Sequence, residues 1–208
     1  MLSDFLQTAF VTLLVTLDPP GLAPIFIALT LGMTSKEKKE VALRAAIIAF
    51  AILLVFAIGG AALMKALGIS LPAFRIAGGL LLFYTAFQMV FAERGQRKRE
   101  LADDAVAIDH VRNLAAFPLA IPLMSGPGSI TAVILLAGKA SGNWEAQTSL
   151  VLVILIVIVL CYLTFLLAER IARLFGATGT LVLGRMLGVV LAALAAQFVI
   201  DGIQAIVG

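Results

Sequence analysis

Along the chain, apolar residues neither alternate with polar ones at a period of two nor fall into narrow stripes; they run in long blocks parted by short charged intervals. A helix needs about 20 residues to cross roughly 30 Å of hydrocarbon. Six blocks approach or exceed that length, at 5–32, 45–64, 76–92, 113–138, 146–168 and 186–200. The pattern predicts an all-α polytopic membrane protein with six transmembrane helices.

Composition agrees. With 62% hydrophobic and 13% charged residues and a mean hydropathy of +1.12, polar side chains are too few to coat a soluble domain. The loops vote on orientation, because Lys and Arg in short loops favour the cytoplasmic side. Twelve basic residues fall in the first, third and fifth connections (Lys36, Lys38, Lys39, Arg44; Arg94, Arg97, Lys98, Arg99, Arg112; Arg170, Arg173, Arg185), against Lys65, Arg75 and Lys139 in the others. The odd-numbered connections are therefore expected to face the cytoplasm, with both termini outside. The net charge of +3 then reflects topology and does not call for nucleic acid. The first block follows Asp4 rather than a basic stretch and no small-residue cleavage site follows it, so the first helix is expected to stay. Cys161, the single cysteine, reads as a packed thiol, Trp144 as an interfacial anchor, and the acidic run with His110 as solvated loop.

Two blocks break their own rule. The first contains Asp18-Pro19-Pro20-Gly21, followed by Pro24; the fourth contains Ser125-Gly126-Pro127-Gly128, after Pro118 and Pro122. Proline removes an N–H and clashes with the carbonyl one turn back, so carbonyls near Thr16 and Leu17, and near Leu123 and Met124, are expected to lose their helical partners. Beyond each break a half-helix can begin, with Asp18 as N-cap of one and with N–H groups at Gly21, Gly128 and Ser129 facing the gap. Carbonyl ends suit a cation or amino group and N–H ends suit a carboxylate. Interrupted backbone at this depth is tolerated only inside protein or against a wet cavity.

The two breaks are repeat partners. A shift of about 107 residues lays Pro20 on Pro127 and Gly21 on Gly128, and a shift of about 110 lays Arg75-x-x-Gly78 on Arg185-x-x-Gly188. Gln88 and Gln197 follow at similar distances. Three helices per half force the second copy to enter from the opposite face, which predicts inverted halves at 1–92 and 113–208, joined by a charged loop at 93–112. Such halves, each with an interrupted first helix, form the pattern of secondary transporters with a midplane site. Kinks that merely shape the bundle are the plainer alternative.

Thr8, Thr12 and Thr16 recur every four residues and share one face leading to the break; they either line the approach or bond carbonyls of their own helix. Gln88 and Gln197 either face the site or join helices. The small residues Gly184, Gly188, Ala192 and Ala196 predict a close helix contact. Arg75 with Asp201, and Arg185 with Glu169, are candidate latches at the two membrane boundaries. No P-loop, metal-ligand spacing or Ser/His/Asp set is present, so no enzymatic activity and no cofactor is expected.

At "DPPGLAPIFIALT" and "PLMSGPGSITAVI" the sequence resembles the MarC family of six-helix bacterial membrane proteins over essentially its whole length. The resemblance implies kinship with amino-acid exporters, including ion-driven transporters of small neutral amino acids such as glycine and alanine. That motif commonly opens with asparagine-proline, where this chain has Asp18. The expected substrate region is Asp18, Pro20, Gly21, Pro24, Ser125, Gly126, Pro127, Gly128 and Ser129, and the expected ion pathway Asp18, Thr16, Thr12, Gln88 and Gln197, with Na+ or H+ as coupling ion. The expected partners are the lipid bilayer and an amino-acid solute, with assembly into a homo-oligomer left open. A non-transporting scaffold or regulatory protein and a small-solute or ion channel are the competing readings.

Overall fold

The computed structural model describes residues 2–93 and 114–207. The basic residues Arg94, Arg97, Lys98, Arg99 and Arg112 of the charged loop, its acidic run and His110 lie outside them. Among the described residues, eight helical segments follow in order: α1 (Leu2–Leu17), α2 (Pro19–Leu29), α3 (Ser35–Ala66), α4 (Leu71–Val90), α5 (Ala115–Met124), α6 (Pro127–Lys139), α7 (Trp144–Leu166) and α8 (Ala168–Val207). No strand occurs among the described residues.

Local signals set most boundaries. Helix α3 starts ten residues before its apolar block because Thr34 and Glu37 form a capping box: the Thr34 hydroxyl accepts from the Glu37 N–H, and Glu37 accepts from the Thr34 N–H at 2.8 Å. The Ser70 hydroxyl caps α4 at the Ala73 N–H, with Pro72 in the first turn, and the Asn143 side chain caps α7 at the Ala146 N–H. The first turns of α3 and α7 carry charged and polar residues beyond the purely apolar stretches, so these helices outrun them.

Four segments, Ser35–Ala66, Leu71–Val90, Trp144–Leu166 and Thr178–Val207, are long and apolar enough to cross a membrane, as is the stretch Leu2–Leu29; α5 and α6 make a sixth crossing if the bent pair is one span. The chain is therefore an all-helical, multi-pass membrane protein. Uncovered apolar side chains such as Val55, Ile58, Leu80 and Leu152 face outward, where only hydrocarbon would receive them.

The fourth block is broken where its Ser125–Gly128 motif predicts, by a 57° bend between α5 and α6, and α5 itself winds loosely, with extended backbone at Phe117 and Ile121 and cis bonds to Pro118 and Pro122. A residue that precedes proline is pushed out of the helical region. The sixth block belongs to a helix of 40 residues that is interrupted at Gly176, where φ is +59°, a conformation that glycine adopts at little cost.

The interrupted spans are the enclosed ones. In the apolar stretch of Leu2–Leu29, 61% of residues are buried, against 28–39% in the four uninterrupted spans, and α6 buries an unbroken run from Thr131 to Gly138. Around them α3 packs on α5, α6 and α7, while α4 packs most extensively on α8. That last contact depends on missing side chains: a Cβ at Gly188 would stand 2.9 Å from Met89 Cβ, and one at Gly79 would stand 2.9 Å from the Ala195 carbonyl oxygen. Gly188 thus makes the close contact expected of it, whereas Gly184 faces open space.

Candidate functional site

The first interruption is a single residue wide. Asp18 takes a left-handed conformation (φ 56°, ψ 62°), one that Asp and Asn tolerate better than other side chains, and separates α1 from α2. Its N–H still bonds the Leu14 carbonyl at 2.9 Å and its own carbonyl accepts from the Leu22 N–H at 3.2 Å, so the span stays nearly continuous. Between those bonds, Pro19 and Pro20 have no N–H to give. The Gly21 N–H donates to the Asp18 carboxylate at 3.2 Å. A Cβ at position 21 would collide with that carboxylate, so any other residue there would force the Asp18 side chain to move.

Asp18 is therefore the N-cap expected of it, and it is 8% exposed. This corrects one element of the site. The Gly21 N–H, expected to face the gap and attract a substrate carboxylate, is engaged by the Asp18 side chain instead.

The second interruption is built differently. The Ser125 N–H bonds the Ala120 carbonyl at 2.8 Å, five residues back, and Gly126 is extended (φ −77°, ψ 175°). Pro127 starts α6, and no side chain caps that helix. The first-turn N–H groups of Gly128 and Ser129 thus have no side-chain cap, at the positive end of a buried 13-residue helix. A Cβ at Gly126 would strike the Pro122 carbonyl, while Gly128 lies beneath the Thr85 hydroxyl. Ser125 and Ser129 are each 2% exposed, and the Ser125 hydroxyl donates to the Ala49 carbonyl of α3 at 3.2 Å.

The threonine face divides. The Thr8 and Thr16 hydroxyls bond carbonyls one turn back, Asp4 and Thr12, both at 2.8 Å. The Thr12 hydroxyl is fully buried and has no hydrogen-bond partner among the described residues. Pro24 sits inside α2, half-buried, and so is Gln88 in α4. The Gln197 amide donates to Asp201 at 2.7 Å within α8, so the structure brings it to that carboxylate rather than to either break.

The latch pairings also change partners. Asp201 pairs with Lys139 at 2.6 Å, and Glu169 pairs with Lys38 at 3.2 Å. Arg75 stays within electrostatic reach of Asp201, but its Nε is buried without a partner among the described residues. These contacts are tertiary, between helix ends distant in sequence, and no local signal marks them. One further contributor escapes sequence reading for the same reason: Ala49 offers only its backbone carbonyl. Thr85, legible in the sequence as a polar residue at depth, meets Gly128 from another helix. No cluster of three His, Cys, Asp or Glu suited to a metal exists among the described residues.

Comparison with known proteins settles the lineage. The family model described as "MarC family integral membrane protein" matches residues 3–207. The chain belongs to the MarC family. Relatives of this MarC chain include a UPF0056 membrane protein of Methanocaldococcus jannaschii, 40% identical over 94% of both chains. Another, from Archaeoglobus fulgidus, is 36% identical over 96% of this chain and 92% of its own. The UPF0056 membrane protein YvbG of Bacillus subtilis is 31% identical over 98% of this MarC chain and 96% of its own. No solved structure matches.

Proposed function

We propose that this MarC protein is a secondary transporter of small neutral amino acids, coupled to Na+ or H+, with its site between the two interrupted spans. One observation carries the reading: the most enclosed spans hold a buried carboxylate at one break and an uncapped helix N-terminus at the other. A zwitterion of glycine or alanine size presents the complementary groups. Its ammonium, or the coupling cation, goes to Asp18 and to carbonyls of the turn ahead of it; its carboxylate goes to the N–H groups of Gly128 and Ser129. A buried acid in a membrane helix is costly and belongs by default to ion handling, and the Thr12 hydroxyl supplies a neutral ligand one turn further along α1. A methyl at Gly21 would displace the Asp18 carboxylate, and one at Gly126 would push on the Pro122 carbonyl that shapes the second break. The carrier needs no cofactor and no covalent chemistry.

An inverted pair of halves underlies the mechanism. Helix contacts recur in matched pairs supporting it: α1 on α7 with α5 on α3, α2 on α8 with α6 on α4, and α2 on α7 with α6 on α3. Rocking of one half against the other would then expose the breaks to each side in turn. The basic residues Lys36, Lys38, Lys39, Arg170 and Arg173 share one end of the bundle, which we assign to the cytoplasm of a bacterial inner membrane, with both termini outside.

The test is flux in liposomes. Labelled glycine and alanine should accumulate against their gradients when a sodium or proton gradient is imposed, and accumulation should saturate. Passive, non-saturating flux would instead identify a channel; no flux for any small neutral amino acid would leave a scaffold or regulatory protein.

A further inference from the structure

We propose that a cavity at the basic end of the bundle binds the phosphate headgroup of an anionic phospholipid. The cavity, about 370 Å³, opens where the first turns of α3 face the junction of α7 and α8. Its floor is aromatic: Phe26 of α2 stacks on Phe165 of α7 at 4.6 Å between ring centroids. Its rim is cationic, with Lys38, Lys39, Arg170 and Arg173 against the single carboxylate of Glu169. Glu169 is engaged by Lys38 at 3.2 Å. Lys39, Arg170 and Arg173 have no ion pair among the described residues, and Arg173 spends one N–H on the Glu169 carbonyl at 3.2 Å, leaving four guanidinium donors.

An apolar floor beneath three uncompensated cations is the recognition chemistry of an amphiphile with an anionic head. The position fits a lipid better than a free anion. The cavity lies where the apolar part of α7 ends, the level that its span length assigns to headgroups, and Leu31, next in the chain to the lining residue Thr30, is 81% exposed and open to an acyl chain. Guanidinium groups match phosphate oxygens in pairs. Asp18 sits at the opposite end of α2, so the site is separate from the breaks and does not depend on the transport reading.

Native mass spectrometry of the full chain, titrated with phosphatidylglycerol or phosphatidylcholine, tests this directly. The parent should retain the anionic lipid preferentially. Arg170→Gln/Arg173→Gln should weaken that binding about 25-fold, about fivefold for each cation removed. The charge-matched Lys36→Gln/Arg185→Gln, outside the cavity, should bind as the parent does. If the double arginine variant does not fold, Lys39→Gln alone should cost about fivefold. Millimolar inorganic phosphate should not displace the lipid. Equal retention of both lipids, equal losses in the two double variants, or displacement by phosphate would each overturn the proposal, the last in favour of a soluble-anion site.

Discussion

At position 18, asparagine can do everything the native residue does for the backbone: it tolerates the left-handed conformation and its side-chain oxygen can accept from the Gly21 N–H. Asp18→Asn removes the carboxylate and puts an amide NH2 in place of its second oxygen. Folded stability should therefore change by less than about 1 kcal/mol, while uptake loses its response to the imposed ion gradient; unchanged coupling in the same liposome assay would take Asp18 out of the mechanism. Thr12→Val separates ligand from filler in the same way. Valine keeps the shape and removes a buried hydroxyl with no partner among the described residues, which should hold or raise thermal stability by about 1 kcal/mol. Reduced uptake in a protein of equal or better stability would mark the hydroxyl as part of the pathway.

Among the elements, α4 and α8 give the sharpest contrast. A methyl at Gly188 meets Met89 Cβ at 2.9 Å and the Ala86 carbonyl at 3.1 Å, whereas a methyl at Gly184 meets nothing within 4 Å. Gly188→Ala should destabilise by about 1–3 kcal/mol; Gly184→Ala should be neutral or gain up to about 1 kcal/mol from helix propensity. Unfolding in mixed micelles would compare them. The same pair shows what the sequence makes legible. Spacing of small residues announces a close contact but not which glycine makes it, because that depends on the partner helix. Proline and glycine at Asp18–Gly21 and Ser125–Gly128 announce both interruptions, since their backbone effects are local. Their unlike geometries are not announced: the side chain of Asp18 decides one, and the prolines at 118 and 122, acting through Phe117 and Ile121, decide the other. Ion-pair partners such as Lys139 with Asp201 require the tertiary fold.

For the whole molecule, sidedness can be tested with the one native cysteine, since Cys161 is fully buried. The intact protein should resist a membrane-impermeant maleimide. With Cys161 replaced by Ala, single cysteines at Lys36 and Trp144, both exposed, should label from opposite sides of sealed vesicles, the former from the cytoplasm. Labelling of both from one face would rule out the alternating path through α3 and α7 on which the inverted halves rest.

The hydrogen bond from Gly21 to Asp18 also ties cargo to architecture. If the break is the ion site proposed above, a proton or metal ion at this carboxylate competes for the group that starts α2. Loading there and the integrity of the helix beyond it would then be one equilibrium, with a looser α2 in the filled state than in the empty one.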